Sequence, residues 1–278
     1  MQGRAHVMTV MAGLGMALVL PTSVQAATTQ AVKGQTGVFA VDCDRTKRKP
    51  IDPVAAPGGR SISHLHDFFG ARRIFASSRP SDLVRGRHSC SLAEDHSTYW
   101  MPSLFNRGRV QEGDALQVYY YLPKGAQAIP LGLIMVAGNA QRRGGTNPQW
   151  SSWSCQPSSD YGETNPPLCD GDNWYLAEID FPSCWDGEHL DSPDHRSHMA
   201  YPTVTGCPPD HPEQLAKVVM FRNFSQYDGL LDDIQLSSGP SASLHADFVS
   251  GWNPEDFARL IEACGARDCG HLDSMPSS

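Results

Sequence analysis

Positive charge is in short supply in this chain. Its 22 lysines and arginines face 30 aspartates and glutamates, for a net charge of −8. Binding along nucleic acid or an anionic membrane needs clustered basic residues that neutralise phosphates, so neither is an expected partner. Long apolar runs are missing after residue 26, which argues against a membrane span. No CxxC pair exists, so the usual spacing of a thiolate zinc site is absent. HExxH, GxSxG and phosphate-cradling glycine motifs are missing too, and no serine or cysteine nucleophile is expected. No internal repeat or linker divides the chain.

The one long apolar run lies at the start. Val7 to Leu20 carries no charge, follows Arg4 and ends at Pro21, and Val24-Gln25-Ala26 fits small-residue cleavage. Its 14 residues fall short of the ~20 that cross a bilayer, so residues 1–26 read as a secretory signal peptide. Their removal takes away Arg4 and no acid, so the 22 basic residues become 21 and the net charge −9. The expected address is secreted, extracellular.

All eight cysteines lie beyond residue 26, and an even count in a secreted chain predicts disulfides. Eight cysteines allow about a hundred pairings, and sequence does not choose among them. Short loops favour Cys155–Cys169, Cys184–Cys207 and Cys264–Cys269, which leaves Cys43–Cys90.

Residues 27–36 are small and polar and read as a disordered lead-in. Strand patterns follow at 37–43, 64–70, 96–105, 115–122, 130–138, 175–181, 214–224 and 243–249, separated by glycine and proline turns. The basic stretch 71–89 reads as a solvated loop or short helix. Residues 141–173 read as a long stapled loop. Pro254 to Cys264 is the one helix pattern, with Pro254 early, acids in its first turn and Gly265 at its end. The expected fold is mainly β: a single antiparallel β-sandwich, jelly-roll-like, with long stapled loops and one C-terminal helix. Residues 37–265 form the domain and 266–278 a C-terminal tail. A monomer is expected.

Phe181 to Pro212 has no clean period of either kind. It holds four of the eleven histidines, four aspartates and two cysteines. Three separated segments pair histidine with aspartate. His64 and His66 flank Leu65 before Asp67, His195 and His198 follow Asp194 with Asp186 upstream, and His245 stands two residues before Asp247. On a strand, residues two apart share a face, so each pair can point one way. Convergence of the three makes a site for acid–base chemistry or for a divalent metal, with His64, His66 and His198 as metal ligands. The candidate catalytic set is His64, His66, Asp186, Asp194, His195, His198, His245 and Asp247. Tyr99, Trp100, Trp185 and Trp252 either stack on sugar rings or fill the core. Gly58 followed by His64-Leu65-His66 mimics the cupin metal motif, but its glutamate is missing, since Gly70 and Ala71 stand there.

Several blocks together are distinctive. They are Ile51-Asp52-Pro53, Ser63 to Gly70, Tyr99 to Pro102 after Asp95, and Pro130 to Leu133 with Ala137-Gly138-Asn139. Phe181 to Gly187, Asp194 to Pro202 with Cys207-Pro208, and His245 to Phe248 with Gly251-Trp252 complete them. In these the chain resembles the secreted DUF1996 proteins, a domain of unknown function found in fungi and bacteria. Ser238-Gly239-Pro240 departs from the Ser-Gly-Asp that often precedes the last block. The resemblance implies secretion and one domain. Some fungal members carry carbohydrate-binding modules, which hints at a polysaccharide.

The first expectation is therefore an extracellular enzyme, a glycoside hydrolase or polysaccharide lyase, that cleaves a polysaccharide or cell-wall polymer. Asp186, Asp194 and Asp247 are the carboxylates for such hydrolysis. The alternative is a non-catalytic carbohydrate- or metal-binding surface protein. A third reading is a ligand-free network in which His–Asp pairs tie loops to the sandwich.

Overall fold

The alternation in the tyrosine-rich segment is that of a strand between a core and a second layer. Leu116, Val118, Tyr120 and Leu122 are buried, while Gln117, Tyr119, Tyr121 and Pro123 are half-buried. The computed structural model describes residues 35–59, 63–145, 150–156, 166–167, 169, 174–224 and 233–276. Residues 1–26, read above as a signal peptide, and most of the stretch read as a lead-in lie outside them.

In chain order the first strands are β1 (Gln35–Cys43), β2 (Arg45–Lys49), β3 (His66–Phe69), β4 (Thr98–Pro102), β5 (Leu104–Asn106) and β6 (Arg109–Val110). Then come β7 (Leu116–Pro123), β8 (Ile134–Gly138), β9 (Ser151–Gln156), β10 (Trp174–Asp180), β11 (Cys184–Trp185) and β12 (Met199–Ala200). The last are β13 (Glu213–Gln214), β14 (Lys217–Phe224), β15 (Ile234–Leu236), β16 (Gly239–Pro240), β17 (His245–Val249) and β18 (Asp268–His271). Two α-helices are present, the four-residue α1 (Pro80–Leu83) and α2 (Pro254–Cys264).

Two sheets make a β-sandwich. One has six strands in the order β18-β1-β7-β14-β10-β9, the other five in the order β2-β3-β4-β17-β8. Within these sheets, pairing is antiparallel except for β1 with β18. Phe39, Val118, Tyr120 and Ile179 from the first sheet and Phe69, Tyr99 and Phe248 from the second meet in one core. The outer face of the five-stranded sheet carries a second apolar cluster around Phe68, Trp100, Ile134 and Val249. Helix α2 closes one edge. Asn253 caps it by accepting from the Glu255 N–H, and Phe257 packs against Phe39, Tyr120 and Trp252.

The disulfides are Cys155–Cys169, Cys184–Cys207 and Cys264–Cys269, the pairs that short loops favour, and Cys43–Cys90, the pair left over. Two expectations need correction. β9 lies inside the segment read as a loop, because its serines hide the strand pattern while Trp153 and Cys155 are buried against β10. β18 lies inside the expected tail, folded back by Cys264–Cys269 to pair with β1. Tyr99, Trp100 and Trp252 are fully buried and serve packing, and only Trp185 of that aromatic set stays half-buried. Among the described residues no helix is long and apolar enough to cross a membrane.

Phe248 stands at the middle of the core, 5.3 Å from the Tyr99 ring and 6.2 Å from that of Phe181. Phe248→Ala leaves a cavity there and is expected to cost about 3–5 kcal/mol. Equilibrium unfolding in guanidinium checks this, and a loss below about 1 kcal/mol would contradict the packing described.

Candidate functional site

Strand β17 reads His-Ala-Asp-Phe-Val, and its period of two divides it. Ala246 and Phe248 enter the core, while His245, Asp247 and Val249 face the opposite side of the five-stranded sheet. All five residues are buried, so loops cover that outer face as well. In β3, His66 and Phe68 share this outer face, and Asp67 and Phe69 point the other way. Asp67 is engaged by Arg48 and Ser103. Gly138 ends β8 opposite His245, with φ +71. A Cβ there would come within 2.2 Å of the Leu244 carbonyl oxygen, so only glycine lets β8 hug the start of β17.

His66 of β3, His64 just ahead of that strand and His245 of β17 meet. His64 Nε2 lies 3.0 Å and His66 Nε2 3.5 Å from His245 Nε2. The opposite nitrogens are tied to the backbone. His66 Nδ1 donates to the Ile51 carbonyl at 2.9 Å and His245 Nδ1 to that of Ser243 at 2.8 Å. Those carbonyls fix both protons on Nδ1 and leave both Nε2 lone pairs facing each other. His64 can donate into one of them, but His66 Nε2 then has no donor.

Carboxylates complete the cluster. Ligand atoms of Asp52, His66 and Asp247 lie within 4.8 Å of one another, as do those of His64, His66 and His245. Asp247 is 2% exposed, and among the described residues its Oδ2 has no hydrogen-bond partner. Asp52 Oδ1 accepts from the Val54 and Ala55 N–H groups, an arrangement that holds the covering loop. His64, half-buried, is the most open member.

Burial governs the titration of every member. Desolvation first, then the neighbouring imidazoles, depresses His66 well below the ordinary histidine range. Desolvation pushes His245 down to about 4 against the help of its Ser243 hydrogen bond. His64 is lowered by desolvation too, with Asp52 opposing. The Asp247 carboxyl is raised well above its usual value by desolvation and then by Asp52. Asp52 is raised by desolvation in turn. Neutral imidazoles with free lone pairs beside carboxylates are the donor set of a first-row divalent cation, and carbonyl-anchored Nδ1 atoms are the outer support such ligands use.

The remaining predicted residues do not converge here. His198 is buried with both ring nitrogens committed, Nε2 to the Ile134 carbonyl at 2.7 Å and Nδ1 to Ser192 at 2.8 Å. It therefore cannot join His64 and His66, and His245 takes that place. Asp194 accepts from Ser192 Oγ, the Arg196 and Ser197 N–H groups and Ser197 Oγ. That is a loop knot, and its backbone and hydroxyl donors hold the carboxyl far below the usual range. Asp186 caps the Glu188 and His189 N–H groups and pairs with His189. His195 pairs with Asp191 at 2.8 Å and lies near enough to Asp52 to act on its charge. Asp52 and Arg196 belong to the site but stand in no His/Asp pattern that sequence could single out.

A separate cleft of about 1010 Å³ is lined by Val84, Arg85, His96, Leu131, Leu190 and Asp191, among others. None of the five cluster residues lines it. Among the described residues no three metal-ligating side chains converge there. The cleft is the more open space, while the convergent imidazoles and carboxylates lie in the cluster.

In protein stripped of divalent cations the cluster makes stability depend on pH. Unfolded histidine takes a proton near 6.5, folded His245 only near 4. Its stabilising share is complete above pH 6.5 and is lost as the pH falls through about 4. His66 acts in the same direction, while the raised Asp52 and Asp247 oppose it. His245→Gln is thus expected to flatten the fall between pH 6.5 and 4, by at most about 3 kcal/mol. Melting curves with EDTA for both proteins test this, and parallel pH profiles refute it.

A family model for DUF1996, a domain of unknown function, matches residues 52–252. No curated protein and no solved structure matches the chain. The matched span begins at Asp52 and takes in all three histidines, Asp247 and the whole of the 181–212 loop. With most of its length covered by that match, the chain belongs to the DUF1996 family.

Proposed function

We propose that this is a secreted metalloprotein whose His64, His66, His245 and Asp247 bind a zinc-like divalent cation. We further propose that it cleaves an extracellular polysaccharide or cell-wall polymer. One observation carries the reading: three Nε2 atoms converge beside a buried carboxylate oxygen that has no partner. A cation relieves the facing lone pairs and the unpaired oxygen together. Imidazole and carboxylate donors suit zinc, which keeps an open position in catalytic sites. Bound metal supplies a Lewis acid and acidifies a water molecule.

The protein's own groups have separable roles. His66 and His245 are held as neutral donors by their carbonyl partners. Asp247 balances positive charge. Asp52, on the covering loop beside His66 and Asp247, is placed to take up and return a proton. His64 stands at the open side, where a substrate enters. Four disulfides fit an oxidising, extracellular compartment. The polysaccharide reading draws on the net negative charge, which disfavours nucleic acid, and on a stacked Trp150–Tyr201 pair, half-buried, with centroids 4.0 Å apart. A non-catalytic metal-binding role is favoured by one fact: Asp52, His66, His245 and Asp247 are each less than a tenth exposed, which narrows access.

Metal analysis of protein purified without a histidine tag is the test. One zinc per chain is expected. His66→Ala and His245→Ala should abolish it, and Asp247→Asn should weaken it by at least about tenfold. Failure to take up any divalent metal refutes the reading. Metal uptake with no oligosaccharide released from any polysaccharide supports the non-catalytic role instead.

A further inference from the structure

The loop beside the cluster is fastened with unusual thoroughness, and the fastening aims one residue. His195 adopts a left-handed backbone, φ +58, which non-glycine residues rarely keep unless their surroundings impose it. Here they do. Asp191 holds the His195 ring, Asp194 gathers four donors, and His198 anchors the loop to the Ile134 carbonyl. The turn lays Arg196 across β8, where Nη1 donates to the Val136 carbonyl at 3.2 Å. Val136 is the register partner of Asp247. Arg196 is therefore pinned to the strand beside the cluster, and its charge reaches both His245 and Asp247.

That charge has no acidic partner. Arg196 is exposed and donates from its side chain to Val136 alone among the described residues. The nearby acids are engaged elsewhere: Asp186 with His189, Asp191 with His195, and Asp194 with Ser192, Ser197 and the Arg196 backbone. Most of the guanidinium's five N–H donors remain open. Arg45, Arg48, Arg79 and Arg259, by contrast, each pair with a carboxylate. An exposed guanidinium pinned beside the cluster offers an incoming anion a local positive charge, set against the overall net charge of −8. The planar fork of arginine matches a carboxylate with two parallel hydrogen bonds. The charge of Arg196 also reaches Tyr201, whose half-buried ring stacks on Trp150 and is of the kind that holds a sugar ring.

We infer that the substrate is an acidic polysaccharide, with Arg196 binding the carboxylate of a uronic acid unit next to the metal centre. This rests on the metal-centre reading above, and the experiment separates the two.

Zinc content and oligosaccharide binding are measured on the same preparations of wild type, Arg196→Gln and Arg196→Lys. Calorimetry uses trimers of galacturonate, glucuronate and mannuronate, with a neutral glucose trimer and inorganic phosphate as controls. The expectation is full zinc content in all three proteins and binding of at least one uronate trimer by wild type. Binding should weaken about tenfold or more in Arg196→Gln and recover in part in Arg196→Lys. Absence of zinc sinks the metal centre itself. With zinc present, the acidic-substrate inference fails if no uronate trimer binds, if the neutral trimer binds as tightly, or if Arg196→Gln binds like wild type. Phosphate binding of equal strength with the same dependence on Arg196 overturns the assignment to a sugar acid.

Discussion

His66, His245 and Asp247 are held away from water on the outer face of a sheet whose inner face forms the core. Charge in such a place costs several kcal/mol unless it is partnered. The fold meets that cost for the imidazoles by keeping them neutral and giving each Nδ1 a carbonyl. Burial likewise raises the Asp247 carboxyl well above its usual value, but among the described residues its Oδ2 is left without a donor. A fold that buries such a group without satisfying it locally is one that gains when a cation arrives. The position of each covering loop follows from this: residues 51–59 bring Asp52 and the Ile51 carbonyl, and residues 191–198 bring Arg196.

The platform beneath must be stiff for three imidazoles to stay aligned, and its internal polar groups show how. Tyr99 donates to Asp95 at 2.7 Å, and the Trp252 indole N–H donates to Tyr120 at 2.9 Å, all inside the core. The Tyr99 and Tyr120 hydroxyls also meet, so the chain of bonds links β4 to β7 and to the segment after β17, and polar contacts tie the two sheets together as well as packing. Arg222, wholly buried, rests on the rings of Phe69 and Phe224 at 4.8 and 5.5 Å from their centroids. Ring faces carry its charge there in place of a carboxylate.

The 181–212 stretch takes a different role from the one its composition suggests. Its aspartates and histidines are mostly spent on one another and on backbone groups. The Cys184–Cys207 bridge closes the loop, worth about 3 kcal/mol by chain-entropy reasoning. What the stretch delivers to the site is position: His198 seats it on β8, Asp194 knots it, and Arg196 is carried to the edge of β17.

Sequence alone was enough for the β-rich class, helix α2 and its end at Gly265, and the faces of β3 and β17, while for the disulfides it offered only a preference for the three short loops. Each of these depends on local rules: period two, loop closure and helix-end chemistry. His64, His66, His245 and Asp247 were legible for the same reason, since i, i+2 spacing on a strand aims both side chains one way. Tertiary structure alone decided which patterned residues meet. His198 lies in a similar His/Asp-rich stretch, yet its nitrogens are taken by Ile134 and Ser192. Asp52 has no patterned partner, yet the loop after β2 brings it to His66. Strands β9 and β18 were hidden because serine-rich and short polar segments acquire strand form only when a neighbouring edge supplies their hydrogen bonds. Local pattern determines where a side chain points from its own strand; what lies opposite it depends on contacts between segments far apart in the chain, which no local period encodes.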